Sequence, residues 1–445
     1  MRLLPSAATV EALTPRTRDR SLDLVRLASL LVVISGHGLM LLVTVGPGTV
    51  SFGNLLTGSA TLQALTWILQ VLPLFFFAGA ASSAMSWRPG NAWGAWLMRR
   101  AQRLYRPVFY YLAAWAVALF LLRDVMAPNV NERIAAISTQ LLWFIGVYIV
   151  VLAFVPALAA MQHGWQVATV VLGLYCGAAA VDAIRLGGGP ESLGYLNLLV
   201  WLIPAALGIG YVRGLISRFT AGIVAMTSVA ANVLLVLAGP YEVSLVTVDG
   251  QRLSNMTPPS LLLAGHAIAL SCLFILASPW CGRFARRPRV WRIVALGNGG
   301  AMTLYLWHMP ALLTIAYISH LLGFDRSDPA QPGFAVLVVV QLGALYSLTA
   351  ALFLALSPLE DRKLPWWDDA IGLRHSAVVG AAVVTAGIAT LLAAKWGFVG
   401  TGVWCTLISL AALATARVAG RPPRGLDSWP GTPPERPLVG TSTAG

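Results

Sequence analysis

Twelve stretches of predominantly apolar residues recur along the chain, and nothing else in the sequence constrains its fold as tightly. A helix needs about 20 such residues to cross the hydrocarbon of a bilayer. Helices suit that environment because their backbone N–H and C=O groups are bonded within the segment. The segments are 22–45, 62–85, 107–122, 139–161, 166–184, 194–212, 219–238, 259–278, 293–319, 333–357, 376–394 and 398–416. The chain is 58% hydrophobic and only 11% charged, against roughly 25% charged in an ordinary soluble domain. An all-α, polytopic transmembrane helix bundle of 10–12 spans is predicted, ten if the close pair at 376–416 falls away.

Residues 1–21 read as a cytoplasmic N-terminal tail, 22–360 as the main membrane domain, and 361–416 as two additional C-terminal spans. Residues 417–445 are rich in Pro, Gly, Ser and Thr without apolar periodicity, so a disordered cytoplasmic tail is expected there. The formal net charge of +13 would suggest nucleic acid in a soluble protein, but in a membrane protein the position of the charges matters more than their sum. With the N-terminus inside, 23 of the 30 Lys and Arg residues fall in cytoplasmic segments; Arg26 sits within the first span, and Arg123, Arg133, Arg185, Arg252, Arg326 and Lys395 fall outside. Both termini are therefore expected in the cytoplasm, the protein in the cytoplasmic membrane, and the bilayer rather than nucleic acid as its partner. Cys176, Cys272, Cys281 and Cys405 lie scattered, without the spacing of a metal site or a disulfide frame. No internal repeat of the kind that builds many transporters is present.

Ionisable residues inside a span are costly, so each is a functional candidate. The first span carries Asp23, Arg26 and His37. Eleven residues separate Arg26 from His37, three helical turns plus about 20°, which puts both on one face about 16 Å apart along the axis. Asp23 is spaced to pair with Arg26. His266 and His308 reach a similar depth, and three titratable groups at one level point to a polar cavity; interhelical hydrogen bonding is the plainer role for the latter two. Leading into the third span, Arg99, Arg100, Arg103 and Arg106 would share an arc of about 120° if helical. Such a stripe suits phosphate, which guanidinium forks bind well, or marks topology at an anionic lipid surface.

The order Leu22-Asp23-Leu24-Val25-Arg26, ten residues, then His37 resembles the opening signature of the membrane acyltransferase-3 family. Further landmarks follow in that family's order: Pro73-Leu74-Phe75-Phe76-Phe77-Ala78-Gly79, Arg100-Ala101-Gln102-Arg103, Leu142-Trp143-Phe144 and Tyr305-Leu306-Trp307-His308. The resemblance extends over about residues 20–360. It departs at Ala78, where the family commonly has Ser, and in exceeding the usual ten spans.

The resemblance implies transfer of an acyl group, often acetyl, from cytoplasmic acyl-CoA to a hydroxyl on a glycan, lipid or small natural product. Acyl-CoA would be a co-substrate, with no bound cofactor or metal. On this reading His37 is the catalytic residue. Arg26, Arg100 and Arg103 contact the donor, and Asp23, Arg99, Arg106, His266, Asn298, Tyr305 and His308 line or support the cavity. A transporter or flippase for an amphipathic glycolipid is the alternative, with histidines relaying protons and arginines reading headgroups. A non-catalytic membrane partner that kept the fold is a third.

The charge asymmetry generates a first prediction. Single cysteines within 46–61 should react with a membrane-impermeant thiol reagent in intact cells, and those within 86–106 and 279–292 should not. Labelling at position 99 or 286 from outside would reverse the orientation.

Overall fold

The computed structural model describes residues 5–46, 49–248, 250, 253–326, 330–398 and 400–422. In chain order the helices are α1 (Ala7–Ala12), α2 (Arg20–Met40), α3 (Ala60–Leu69), α4 (Leu72–Ala84), α5 (Trp93–Leu122), α6 (Pro128–Gln140), α7 (Leu142–Leu158), α8 (Gly164–Leu186) and α9 (Leu202–Val212). They continue with α10 (Arg218–Leu237), α11 (Leu261–Ala285), α12 (Pro288–Gly299), α13 (Ala301–Leu321), α14 (Phe334–Leu356), α15 (Pro358–Asp361), α16 (Ser376–Trp396) and α17 (Thr401–Ala419). Among the described residues, twelve helical segments are long and apolar enough to cross a membrane, and each overlaps one segment read from the sequence. The protein is an all-α multi-pass membrane bundle. Its centre is built from α4, α7, α9 and α11, while α8, α10 and α14 lie outermost and turn side chains such as Phe219, Leu237, Val339 and Val340 outward. Exposed apolar residues on these helices are what a hydrocarbon surround requires.

Several boundaries differ from the sequence reading, each for a local reason. The first span ends at Met40, and Leu41–Gly46 (β1) pairs antiparallel with Thr49–Asn54 (β2), with Val45 opposite Val50. The β-branched residues Val43, Thr44, Val45 and Val50 favour that pleated form. The segments 62–85 and 139–161 are not single helices: helix breaks at Gln70–Val71 and at Leu141 divide α3 from α4 and α6 from α7. The segment 293–319 is likewise interrupted at Gly300, which separates α12 from the spanning α13. Conversely α5 begins fourteen residues before 107 and runs through Pro107 without ending. The arginine stripe therefore lies on the same rigid helix as the third span.

The N-terminal segment is not a plain tail. Ser6 caps α1, and Val10 packs with Leu27, Trp291 and Val294, joining α1 to α2 and α12. At the other terminus α17 runs to Ala419, so Arg417 is helical and almost fully buried, bonding the carbonyls of Trp366 and Ala370. The expected disordered tail lies, beyond Pro422, outside the described residues. The last two spans are no separate unit, since α16 packs against α5 and α7. These crossings are close enough that a β-carbon on Gly94 would fall onto the Ser376 carbonyl, and one on Gly146 onto the backbone of Gly387 and Leu391.

Gly94→Val should therefore displace α16 and lower thermal stability in detergent by an amount equivalent to about 1–3 kcal/mol, the usual cost of overpacking. Gly173→Val is the control, because a β-carbon there meets nothing within 4 Å. Equal melting of the two variants would contradict the docking of α16.

Candidate active site

The last turn of α2 brings His37 against His308 in the first half of α13. The His37 Nδ1 to His308 Nε2 distance is 2.8 Å, and the rings are nearly parallel at 12° with centroids 5.1 Å apart. His308 is fully buried, and His37 is partly so. A hydrogen bond between two imidazoles needs a proton on one nitrogen and a lone pair on the other. The remaining nitrogen of His308, Nδ1, is buried without a hydrogen-bond partner. In the arrangement where both rings are neutral and His37 Nδ1 carries the shared proton, His308 Nε2 accepts it and His37 Nε2 keeps a lone pair. This is the logic by which the partner of one ring nitrogen sets the chemistry of the other.

On the same face of α2, about 16 Å back along the axis, Arg26 is held in a polar knot. Its Nε donates to Asn298 Oδ1 at 2.9 Å and its Nη2 to Asp23 Oδ1 at 3.4 Å. Asn298, at the end of α12, also donates to the carbonyls of Asp23 and Val294, at 2.8 and 2.9 Å. The stronger partner of Asp23 is Arg18, which grips both carboxylate oxygens at 2.6 and 2.9 Å. Those bonds raise the Arg18 pKa above the ordinary guanidinium range. Sequence spacing alone pairs Asp23 with Arg26 and misses Arg18, because Arg18 lies before the helix and reaches it from the turn.

The stripe on α5 divides by occupation. Arg106 is fully engaged, its Nε and Nη2 on the two oxygens of Asp368 at 2.9 and 2.6 Å and its Nη1 on the Glu360 carbonyl. It fastens the segment after α14 to α5. Arg99 and Arg103 are exposed. Arg100 turns inward, stacking over the Trp96 ring at 4.2 Å and donating to the Ser83 carbonyl at 3.3 Å and to Ser86 Oγ, while its Nε is buried without a partner. Tyr148 of α7 is buried in the aromatic cluster of Phe75, Phe76 and Phe144. It approaches α4 where Gly79 leaves room; a β-carbon there would collide with the hydroxyl. Nothing in the sequence singles out Tyr148, one polar atom in an otherwise apolar run.

The other candidates serve the backbone. His266 bonds the Gln70 carbonyl at 3.0 Å, at the break between α3 and α4, and has no part in the contact between His37 and His308. The Tyr305 hydroxyl donates to the Leu141 carbonyl at 2.8 Å, at the break between α6 and α7, with its ring packed on Phe144 and His308. Tyr305 and Asn298 are thus committed to other partners rather than free to meet a developing oxyanion.

A family model described as an acyltransferase domain matches residues 19–357, a range that holds His37, His308 and all four stripe arginines. No curated protein and no solved structure matches the chain.

Tyr305→Phe keeps the ring but leaves the buried Leu141 carbonyl without its donor, which typically costs about 1–3 kcal/mol. The variant should unfold at lower denaturant concentration in a detergent titration. An unchanged midpoint would show that the break does not depend on this bond.

Proposed function

Since the chain belongs to the acyltransferase-3 family, we propose that this membrane acyltransferase moves an acyl group, acetyl in the simplest case, from cytoplasmic acyl-CoA to a hydroxyl of a glycan, glycolipid or small natural product. The observation that carries this reading is the imidazole pair, with His37 Nδ1 2.8 Å from His308 Nε2. The donor's phosphates rest on the inward-turned Arg100, with Arg103 and Arg99 at the surface and Arg26 and Tyr148 deeper in. Its acyl end extends along the face that Arg26 and His37 share. Fork geometry favours arginine over lysine for such phosphate contacts. Arg106, already paired with Asp368, holds the stripe in position and makes no donor contact.

His37 Nε2 takes the acceptor's hydroxyl proton as that oxygen attacks the thioester carbonyl. The new C–O bond forms, the C–S bond breaks, and the proton passes from His37 to the departing sulfur, releasing the CoA thiol. As His37 becomes cationic, its Nδ1–H bond to His308 strengthens, because hydrogen bonds to charged groups are the stronger ones. His308 therefore positions the base and supports its charge. His37 and Arg26 sit toward opposite ends of α2, which suits a donor and an acceptor arriving from opposite sides of the cytoplasmic membrane.

Purified protein incubated with labelled acetyl-CoA and a panel of hydroxyl acceptors provides the test. His37→Gln should lose about 10²- to 10⁴-fold in turnover, the usual contribution of a general base, with donor binding retained. His308→Gln should be milder, and Arg100→Lys should weaken donor binding with less effect at saturation. Near-normal turnover in His37→Gln would overturn the base assignment, and unchanged donor affinity in Arg100→Lys would overturn the phosphate contact.

A further inference from the structure

The chain from Pro358 onward lies beyond the residues that match the acyltransferase family, yet it grips the helix that carries the arginine stripe. Three residues of one turn of α5 are fastened to it. Gln102 and Trp367 bond each other in both directions: the indole Nε1 donates to the Gln102 carbonyl at 3.0 Å, and the Gln102 amide donates to the Trp367 carbonyl and, at 3.3 Å, to that of Asp369. The Tyr105 hydroxyl lies 2.9 Å from Thr390 Oγ1 of α16. Arg106 forks onto the two oxygens of Asp368. Trp367 is itself buried, its ring edge-on to Phe109 with centroids 5.0 Å apart.

The fastening falls where α5 is weakest. Pro107 has no N–H to offer the Arg103 carbonyl, and its ring crowds that carbonyl, a combination that ordinarily kinks or breaks a helix. Here α5 continues through it. The gripping segment is also held in an unusual shape. Trp366 has a left-handed backbone, φ 66°, which a bulky side chain rarely adopts. Its carbonyl accepts from Arg417 Nε, and Asp368 closes the turn by accepting from the Leu364 N–H at 2.7 Å. Such a conformation persists where the surroundings over-determine it, and it gathers at functional places.

Position around the helix connects this grip to the donor. At 100° per residue Arg103 stands about 60° from Arg100 and about 60° from Arg106. Arg100 is seated on α4 and Arg106 on Asp368, so the exposed Arg103 lies between two fixed neighbours. We propose that the chain beyond residue 357 sets donor affinity: Trp367 and Asp368 are positioning residues that hold the turn from Gln102 to Arg106 together at Pro107, and so keep Arg100 and Arg103 spaced for the phosphates of acyl-CoA. The assignment rests on the acyl-transfer reading and adds to it what the appended segment does. Because Trp367 and Asp368 bond α5 rather than His37 or His308, they act on donor binding and leave the chemical step alone.

The test uses the purified full chain. Trp367→Phe keeps an aromatic ring and removes the indole N–H; Asp368→Asn keeps the shape and removes the charge that faces Arg106. Each should weaken binding of labelled acetyl-CoA about tenfold, the effect of losing one good hydrogen bond to phosphate. Turnover at saturating donor, with any active member of the acceptor panel, should stay near that of the wild type. Without donor, backbone hydrogen exchange over residues 99–106 should quicken in both variants while exchange across α2 does not. Trp367→Phe is the milder change and decides the matter if Asp368→Asn does not fold. Ser409→Ala controls for general loosening, since it removes bonds to Thr390 and the Ala386 carbonyl within the pair of α16 and α17. It should melt earlier with donor affinity intact. Unchanged donor affinity or unchanged exchange in Trp367→Phe, a fall in saturated turnover as large as the fall in affinity, or an equal loss of affinity in Ser409→Ala would overturn the assignment. Failure of the wild-type protein to bind acetyl-CoA would overturn the acyl-transfer reading and this assignment with it.

Discussion

Inside hydrocarbon, a carbonyl released by a helix break has no water to turn to, and a side chain has to meet it. Much of this bundle follows from that requirement. The Gln70 carbonyl is met by His266, Leu141 by Tyr305, and Ser138 by Tyr111. The start of α13, which is freed by the break at Gly300, is met by Glu360, whose carboxylate accepts from the backbone N–H and hydroxyl of Thr303. A carboxylate also suits the positive end of a helix dipole. The last turn of α2 is closed by Arg326. All but the contact of Tyr111 with Ser138, which joins consecutive helices, link segments distant in sequence. Those of Tyr305, Glu360 and Arg326 together locate the helices that carry His308 and His37.

Charge is organised by the same economy. Asp23 and Asp368 each take an arginine fork, and Asn298 completes Arg26 with a neutral acceptor instead of a second carboxylate. Arg106 and Arg417 likewise end in fixed contacts with the segment between α15 and α16. Of the many basic residues at this end of the bundle, Arg100 is distinguished by turning inward with part of its guanidinium unbonded. That asymmetry, rather than total charge, is what the proposed donor contact at Arg100 rests on.

The spans, the shared face of Arg26 and His37, and the arginine arc were legible in the sequence because each rests on helical period or length. The pairing of His37 with His308 was legible only as a shared depth. Depth was also what grouped His266 with them, and its contact with Gln70 shows the limit of that signal. Helix breaks were hidden because the residues around Gln70 and Leu141 are apolar enough to extend a span, and nothing local announces that distant side chains will accept the broken ends. Arg18 and Tyr148 were invisible for a related reason: their partners are set by tertiary approach, not by i,i+3 or i,i+4 spacing. The hairpin after Met40 lay in β-branched residues that also continue an apolar run.

The central claim is that donor phosphates at the arginines and an acyl end at His37 belong to one bound molecule. A structure of the protein with a non-transferable thioether analogue of acetyl-CoA measures this in a single experiment. The account predicts phosphate oxygens on Arg100 and the acyl carbonyl beside His37 Nε2, with the bond from His37 Nδ1 to His308 intact. An analogue bound with its acyl end away from His37, or with its phosphates away from the α5 stripe, would contradict it.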